Sequence, residues 1–324
     1  MNLGIVILNW NGETLIKKFL PSVIQHTPIK HSIYLIDNGS TDGSIKFVKS
    51  NFNRVKIIEL DKNYGFAKGY NIGLKNIDNE ILCLLNNDVE VTEGWTEEIL
   101  KEFKNKPKTA VVQPKLMNYY NKSHFDYAGA AGGYLDKFGY PYCNGRIYNK
   151  VEEDKNQYDK INEIFWACGA CFFIRNDIFK KFDGFDELFW AHFEEIDLCW
   201  RLKNYGYKIS FNPKSTVYHA DGGTLSNSDP KKTYYNYRNM LFTITKNSQN
   251  NLFILLFEKL FIDIITATYI LFQKGFSHFM AIIKAYFSFY KHINLLIKFR
   301  KQNKREIKHY KIRSIICEYL FYKS

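Results

Sequence analysis

Cysteine, proline and long charge-free hydrophobic runs are all scarce in this sequence of 324 residues. Its six cysteines are scattered, which excludes the disulfide-rich class of small secreted proteins. Seven prolines and 19 glycines are too few for a collagen-like or low-complexity chain. Hydrophobic residues make up 46% of the chain, so intrinsic disorder is excluded as well. The length predicts about two domains, or one α/β domain with an appendage.

Signals for export and for membrane crossing are also weak. The first apolar run begins at Gly4 with no basic residue before it, so we expect no signal peptide and a cytoplasmic protein. The most apolar stretch, 252–272, is interrupted by Glu258, Lys259 and Asp263. Each such charge costs about 2.5–3.5 kcal/mol near the centre of a bilayer, so we do not predict a membrane span there.

The formal net charge of +12 belongs almost entirely to the C-terminal part. From residue 246 onward, fourteen Lys and Arg stand against four Asp and Glu, whereas the preceding chain is nearly neutral. On a helical wheel, the charged residues of 252–274 share one arc and seven large apolar residues fill the opposite arc. A basic cluster follows, made of Lys298, Arg300, Lys301, Lys304 and Arg305.

Amphipathic aromatic helices beside a basic cluster are typical of proteins that lie on an anionic membrane surface. We therefore predict peripheral attachment of 229–324 to the inner face of the cell membrane. A helical subdomain packed on the core and a homodimer interface remain alternatives. Nucleic-acid binding through the basic tail is a further alternative, but the long apolar helices favour a membrane.

The N-terminal part alternates short apolar runs with amphipathic segments. The runs cover 3–8, 32–36, 55–59 and 81–85, and helix-like stretches cover 13–25, 43–51, 66–76 and 94–104. This alternation predicts βαβ units and a parallel sheet with helices on both faces. A polar cluster follows each run, at 9–12, 37–42, 61–65 and 86–88. Because ligands bind beyond the carboxyl ends of such strands, we expect a nucleotide cleft there.

The middle of the chain, 113–167, is less regular and rich in Tyr and Gly. A second ordered block follows, with strands predicted over 171–174, 207–211 and 216–218 and a helix over 194–204. We divide the chain into a catalytic domain, 1–228, and a basic amphipathic helical region, 229–324. Within the first, 1–112 is the expected nucleotide-binding part and 113–228 the acceptor and catalytic part.

Six motifs follow one another along the chain: Val6-Ile7-Leu8-Asn9-Trp10-Asn11-Gly12, Ile36-Asp37-Asn38-Gly39-Ser40-Thr41-Asp42, Asn63-Tyr64-Gly65-Phe66-Ala67 with Asn71, Leu84-Leu85-Asn86-Asn87-Asp88, Phe193-Glu194-Glu195-Ile196-Asp197-Leu198-Cys199-Trp200-Arg201, and Val217-Tyr218-His219 with Gly222-Gly223-Thr224. Taken together, these motifs resemble family 2 glycosyltransferases of the GT-A fold, in the rhamnosyltransferase-like branch, over about 3–245. The resemblance implies a mixed, Rossmann-like α/β sheet with helices on both faces. It also implies inverting transfer of a sugar from a dTDP-rhamnose or UDP-hexose type of donor. The implied acceptor is a hydroxyl of a glycan or lipid-linked molecule in bacterial surface polysaccharide synthesis.

The resemblance also assigns a nucleotide site. Asp37 would accept a hydrogen bond from N3–H of uracil or thymine; as an alternative it caps the next helix, a role that suits Asp42 better. The other implied nucleotide-binding residues are Asn9, Asn11, Asn63, Gly65, Asn71, Asn86 and Asn87. In the family, an Asp-x-Asp triplet binds a divalent metal ion; here the triplet is Asn-Asn-Asp, so Asp88 keeps the last position. His219 is the second candidate ligand, with a structural role or a contact to the diphosphate as alternatives. Mg²⁺ or Mn²⁺ is the expected cofactor.

The catalytic base implied by the resemblance is Glu195, the second acid of the Glu194-Glu195 pair. Acids in a first helical turn also stabilise the helix dipole, which is the structural alternative for both. Glu194, Asp197 and Arg201 would support the base, and Asp197 and Arg201 have ion-pair spacing. Trp166, Trp190 and His192 are candidate walls of the sugar and acceptor pocket, although core packing explains them equally well.

Two other functions fit a nucleotide-binding α/β sheet. A nucleotidyltransferase is disfavoured, because 9–12 is not a glycine-rich basic loop and no Lys or Arg precedes Lys17. A non-catalytic nucleotide-sugar or glycan-binding protein stays open, because Asn86 replaces the first acid of the metal motif.

Overall fold

The computed structural model describes residues 1–147, 150–220 and 228–321; the predicted motif Gly222-Gly223-Thr224 lies outside them. The strands within these ranges are β1 (Leu3–Asn9), β2 (Ser32–Asp37), β3 (Val55–Glu59), β4 (Ile81–Asn86), β5 (Val89–Val91), β6 (Thr109–Asn118), β7 (Gly133–Leu135), β8 (Pro141–Cys143), β9 (Arg146–Ile147), β10 (Lys150–Val151), β11 (Asn162–Ile164), β12 (Cys171–Arg175) and β13 (Lys208–His219). The helices are α1 (Glu13–His26), α2 (Ser44–Asn51), α3 (Phe66–Gly73), α4 (Glu97–Asn105), α5 (Asn176–Lys181), α6 (Glu194–Asn204), α7 (Pro230–Asn247), α8 (Leu252–Lys274), α9 (Phe276–Gln302) and α10 (Ile315–Phe321).

Nine strands form one mixed sheet in the order β11-β13-β6-β12-β4-β1-β2-β3, with β5 paired to β13. β1 pairs in parallel with β2 and β4, and β2 pairs in parallel with β3. β12 lies antiparallel between β4 and β6. The alternating pattern therefore predicts the parallel half of the sheet, and the insertion of β12 makes the whole sheet mixed.

The predicted elements of the N-terminal part agree with the structure to within a few residues. Residues 81–85 of β4 are all buried, because both faces of the sheet are covered. Two predicted strands, 207–211 and 216–218, are one long strand, β13, whose register against β6 shifts between Asn212 and Thr216. The irregular middle contains a second, four-stranded sheet in the order β10-β9-β8-β7.

The C-terminal part is helical, as predicted. The polar face of α8, and not its apolar face, packs against the rest of the protein. Lys259 and Asp263 are fully buried and form an ion pair of 2.9 Å. Asp263 also accepts hydrogen bonds of 2.6 Å from the hydroxyls of Tyr140 and Tyr286. The polar arc of α8 therefore faces the protein, because its charges find partners there, and the apolar arc faces outward.

Arg300 does not belong to an exposed basic cluster. Its guanidinium is largely buried and donates to the carbonyl oxygens of Thr245, Ser248 and Asn250 at 2.7–2.9 Å. These carbonyls lie at and just after the C-terminal end of α7, so Arg300 caps that helix. The remaining four members of the cluster, Lys298, Lys301, Lys304 and Arg305, are exposed.

The chain after α9 returns to the N-terminal part. His309 is buried with its ring centroid 4.3 Å from that of Trp200, and the backbone N–H of Ile315 donates to Asp136 at 3.1 Å. Within the described residues, no helix combines the length and the hydrophobicity that a membrane crossing requires.

Candidate active site

A cavity of about 880 Å³ opens at the carboxyl ends of β1 and β4 and reaches α6, α7 and α8. Twelve residues singled out from the sequence line it: Asn11, Asn63, Gly65, Asn86, Asn87, Asp88, Trp166, Trp190, His192, Glu194, Glu195 and His219. Five others do not line it: Asn9, Asp37, Asn71, Asp197 and Arg201. The sheet therefore brings most of the predicted site to one place.

Asn38, Asn63 and Gly65 form the end of the cavity at which the sequence predicts the nucleotide. Asn38 donates to the side chain of Asn63 at 3.1 Å and to the carbonyl oxygen of Gly65 at 3.0 Å. Gly65 has a φ of 78°, and a Cβ there would lie 2.7 Å from the ring of Trp190. Only glycine meets both conditions, so the loop can approach Trp190 closely.

Asn9 and Asp37 lie beneath this loop and hold strand ends together. Asn9 is fully buried; it donates to Ser44 at 3.1 Å and accepts from Asn87 at 2.9 Å. Asp37 is also buried and accepts from the backbone N–H of Ser40 at 3.0 Å. Both side chains are thus used in the network below the cavity, and their direct contact with a nucleotide stays a prediction.

Asp88 and His219 lie side by side, as the metal-site prediction requires. Nε2 of His219 is 3.3 Å from Asp88, and Nδ1 is 3.1 Å from Asp126, a fully buried carboxylate. Burial alone would lower the pKa of His219, but the two carboxylates raise it well above its usual range. Among the described residues, no group of three or more His, Cys, Asp and Glu side chains is placed to hold a metal ion. Binding of Mg²⁺ or Mn²⁺ by Asp88 and His219 therefore stays a prediction, and it requires the neutral imidazole.

Glu194 and Glu195 occupy the first turn of α6 with different surroundings. Burial raises the pKa of the Glu195 carboxyl to about 7, against the opposing effect of backbone N–H groups that include that of Gly169. Burial and the neighbouring Glu195 charge raise the pKa of Glu194 well above its usual range. Oε2 of Glu195 is buried and has no hydrogen-bond partner among the described residues. Oε2 of Glu194 is also buried without a partner among the described residues, so the role of Glu195 as the base stays a prediction.

Asp197 and Arg201 anchor α6 from behind the cavity. Arg201 donates to Asp197 at 2.9 Å and to the carbonyl oxygens of Phe182 and Gly184. Burial opposes ionisation of Asp197, but Lys246 and Arg201 lower its pKa. Asn71 has a comparable structural role: it pairs with the backbone of Phe185 in both directions, at 2.7 and 3.0 Å.

Aromatic residues form the remaining walls of the cavity. Trp190 stacks on Tyr235, with ring centroids 5.6 Å apart, and Trp166 donates from Nε1 to the carbonyl oxygen of Tyr134 at 2.9 Å. Burial, together with the nearby charge of Lys232, lowers the pKa of His192 to about 4. His192 is therefore neutral at physiological pH and lines the cavity as an uncharged ring.

Sequence reasoning missed Asp126, Arg146 and Lys232. Asp126 bonds His219, whereas Arg146 and Lys232 line the cavity. Asp126 and Arg146 come from the irregular middle, and Lys232 from the first turn of α7. No strand-end pattern marks these positions. A buried carboxylate opposite a predicted ligand histidine is the signal that identifies Asp126, and it exists only in three dimensions.

Known proteins share both the sequence pattern and the fold. Residues 4–183 match the model of Glycosyl transferase family 2, more than half of the chain. The N-acetylglucosaminyl-diphospho-decaprenol L-rhamnosyltransferase of Mycobacterium tuberculosis is 21% identical over 67% of this chain and 75% of its own length. The dTDP-rhamnosyl transferase RfbF of Shigella flexneri is 21% identical over 76% of this chain and 81% of its own length.

Solved glycosyltransferases have the same fold. GalNAc-T7 with UDP, GalNAc and Mn²⁺ aligns with a TM-score of 0.60 and 18% identity over 77% of this chain, which spans about half (48%) of that protein. S. aureus TarS 1-349 with UDP-GlcNAc aligns with a TM-score of 0.53 and 16% identity, over 79% of this chain and 69% of TarS. The family and fold predictions are thus confirmed: the chain belongs to glycosyl transferase family 2 and is a glycosyltransferase of the GT-A fold.

Proposed function

We propose that this enzyme transfers a sugar with inversion from a nucleoside-diphosphate donor to an acceptor hydroxyl, with Glu195 as the base. The observation that supports this most is the buried Glu195 carboxyl, whose pKa is raised to about 7, in a cavity that also contains Asp88, His219, Asn63 and Gly65. A candidate base, a set of candidate phosphate-site residues and a candidate nucleotide loop thus line one cavity. The division into 1–228 and 229–324 is likewise a proposal.

The proposed reaction is a single displacement. Glu195 takes the proton of the acceptor hydroxyl, and the acceptor oxygen forms a bond to the anomeric carbon. The bond from that carbon to the diphosphate oxygen breaks, and its electron pair leaves with the nucleoside diphosphate. The pKa of Glu195, about 7, suits a base that must be unprotonated near neutral pH and still accept a proton.

Asp88 and His219 are the residues that would hold Mg²⁺ or Mn²⁺. When bound, the metal ion would offset the negative charge that develops on the leaving diphosphate. Asp126 fixes the orientation of the His219 ring through Nδ1, so that Nε2 faces Asp88. Asn86 supplies a neutral amide to the same strand end.

The relatives suggest the class of donor and acceptor. One is named as a dTDP-rhamnosyl transferase and another as acting on a diphospho-decaprenol acceptor. We therefore propose dTDP-rhamnose or a UDP-hexose as donor and a glycan or lipid-linked acceptor of surface polysaccharide synthesis. The acceptor side of the cavity would be the end lined by Tyr269 and Gln273 of α8 and Ile316 of α10.

The outer face of α8 supports attachment to an anionic membrane. Phe253 and Phe272 are 80% and 82% exposed, and Phe257 and Phe261 are exposed between them. Exposed lysines and arginines, which include Lys298 and Lys301, lie on or after α9. A wide apolar face with basic residues nearby matches the chemistry of a lipid surface whose headgroups are negative. The cavity ends beside this helix, so a lipid-linked acceptor would reach Glu195 from the membrane side.

Vesicle flotation of the full chain tests the membrane proposal. We expect the wild-type protein to float with vesicles of phosphatidylcholine and phosphatidylglycerol, and the variant Phe257→Ser/Phe261→Ser to stay in the dense fraction. Ile29→Ser is the matched control, because Ile29 is an exposed apolar residue on the catalytic part. Equal flotation of all three proteins would exclude α8 as the lipid-binding face. Concentration-dependent dimerisation that the double variant abolishes would favour the homodimer instead.

A donor screen tests the proposed activity. Release of nucleoside diphosphate is measured for dTDP-rhamnose and UDP-hexoses, with an acceptor and with Mg²⁺, Mn²⁺ or a chelator. We expect turnover with one donor class that depends on the metal ion. Binding of a donor with no turnover under any of these conditions would favour a non-catalytic nucleotide-sugar-binding protein.

A further inference from the structure

The loop that leads into α6 has an unfavourable backbone conformation just before the proposed base. His192 and Phe193 have φ values of 68° and 73°, in the left-handed region that residues other than glycine rarely adopt. Phe193 is the N-cap of α6, and its side chain makes no capping hydrogen bond. Two such residues in succession persist only where their surroundings hold them in place.

Asn239 of α7 holds this turn. Its side chain is fully buried, and Nδ2 donates to the carbonyl oxygens of Ala191 and His192 at 2.9 and 2.6 Å. Its Oδ1 accepts from Nε of Arg238 at 2.8 Å, and Arg238 also donates to the carbonyl oxygen of Leu188. One amide therefore uses both of its donor hydrogens to fix the two carbonyls at the left-handed turn.

α7 holds the same segment at a second point. Lys246, also buried, donates to Asp186 at 2.5 Å and to Asp197 at 2.9 Å. Asp186 lies at the start of the loop, and Asp197 lies in the first turn of α6. Lys246 therefore binds both ends of the loop, and Asn239 binds its middle. The direction of the first turn of α6, and with it the position of Glu195, follows from this arrangement.

The loop before α6 also contacts the residues that the sequence predicts to bind the nucleotide. The backbone N–H of Phe66 donates to the carbonyl oxygen of Trp190 at 2.8 Å, and Gly65 packs against the Trp190 ring. A shift of this loop would therefore disturb the proposed base and the edge of the donor site together.

We propose that Asn239 is a positioning residue for the catalytic step: it fixes the left-handed turn that aims Glu195 into the cavity. Asn239 does not line the cavity, so it acts through the loop and not by touching substrate. This inference rests on the proposed function in one respect, namely that Glu195 is the base.

The test compares three substitutions in the full-length enzyme. Asn239→Leu removes both donors with little change in size, and Asn239→Gln restores an amide donor. Leu241→Ala creates a cavity in a buried position of the same helix, outside the active-site lining, and controls for loss of stability. For each variant, kcat, the KM for the donor and the thermal midpoint are measured at saturating metal ion.

We expect Asn239→Leu to lower kcat about 10- to 100-fold, because small misplacement of a reacting group costs that much. The KM for the donor should change far less than kcat, Asn239→Gln should recover part of kcat, and Leu241→Ala should lower the thermal midpoint with kcat retained. A kcat near that of the wild type for Asn239→Leu would overturn the inference. So would a loss of kcat that Leu241→Ala reproduces at an equal loss of stability.

Glu195→Gln, measured in the same assay, separates this inference from the proposed function. If Glu195→Gln is inactive and Asn239→Leu is active, only the positioning role fails. If Glu195→Gln keeps its activity, the proposed base itself is wrong.

Discussion

At the scale of single residues, groups of the same chemical type in the active site differ in their pKa values and in their partners, because their surroundings differ. Glu194 and Glu195 are neighbours on one helical turn, and each has a buried oxygen without a partner among the described residues. Burial raises the pKa of Glu195 to about 7, whereas burial and the Glu195 charge together raise the pKa of Glu194. Asp88 and Asp126 are both buried carboxylates beside His219, one on each ring nitrogen. Sequence motifs identify the residue types, and the local surroundings decide what each one does.

The pH dependence of transfer follows from Glu195. A base must be unprotonated, so activity should rise with pH, and kcat/KM should fall about tenfold per pH unit below an apparent pKa of about 7. The measurement is a pH profile of kcat/KM with a saturating metal ion. Glu194→Gln is the control and should keep the rising limb, because the limb is assigned to Glu195 and that carboxyl remains in the variant. A profile that falls only near pH 4–5, about the range of an ordinary glutamate, would contradict this prediction.

Asp126 should control metal affinity without binding the metal ion. Asp126→Asn replaces the carboxylate that orients His219, so Mn²⁺ affinity should fall about 10- to 100-fold. Calorimetric titration of Mn²⁺ in the presence of nucleoside diphosphate measures it. Asp154→Asn, which removes a carboxylate paired with Lys115 outside the cavity, is the matched control. Equal affinities for both variants and the wild type would argue against His219 as a ligand.

At the scale of helices and strands, local patterns predicted most boundaries but not the orientation of α8. Strand ends and their polar clusters are encoded by neighbouring residues, so 3–8, 32–36, 55–59 and 81–85 agree with β1 to β4. A helical wheel shows a polar and an apolar face of α8. Which of them packs against the protein depends on the contacts of α8 with Tyr140 and Tyr286, which lie outside this helix. The sequence predicted two strands where the structure has the single long β13. The reason is again a long-range contact, because β13 pairs with β6 on both sides of its register shift.

The buried ion pair of α8 should be costly to break. Asp263→Ala leaves Lys259 buried without its carboxylate, so the free energy of unfolding should fall by about 3–5 kcal/mol. Chemical denaturation of the full chain measures this change. The double variant Lys259→Met/Asp263→Leu should recover much of the loss, because neither charge then remains buried. A change below about 1 kcal/mol, as for an exposed ion pair, would mean that the polar arc of α8 is solvated.

At the scale of the whole molecule, the basic helical region and the catalytic part share buried contacts. α7 holds the loop before α6, Arg300 caps α7, and His309 packs on Trp200. Composition predicted two regions because their charge differs, but it contains no information on contacts between them. The convergence of Asn63 and Asp88 was predictable from strand order, and Glu195 was assigned from the family resemblance, whereas Asp126 and Asn239 required the folded chain.

Truncation tests this dependence. A chain that ends at residue 228 loses α7 and with it the hydrogen bonds of Asn239 and Lys246 to the loop and to α6. We expect such a chain to unfold at lower temperature and to lose sugar transfer. Thermal unfolding and nucleoside diphosphate release measure the two effects. A stable and active chain of 1–228 would establish that the catalytic domain is independent of the helices.

The central claim, that Glu195 is the base of a sugar transfer, is tested most directly by Glu195→Gln. With the donor and acceptor found by the screen, we predict that kcat falls about 10²–10⁴-fold, as expected for loss of a general base, while donor affinity is retained. Glu187→Gln, an exposed position outside the cavity lining, should transfer at the wild-type rate. Transfer by Glu195→Gln at a rate near that of the wild type would contradict the account.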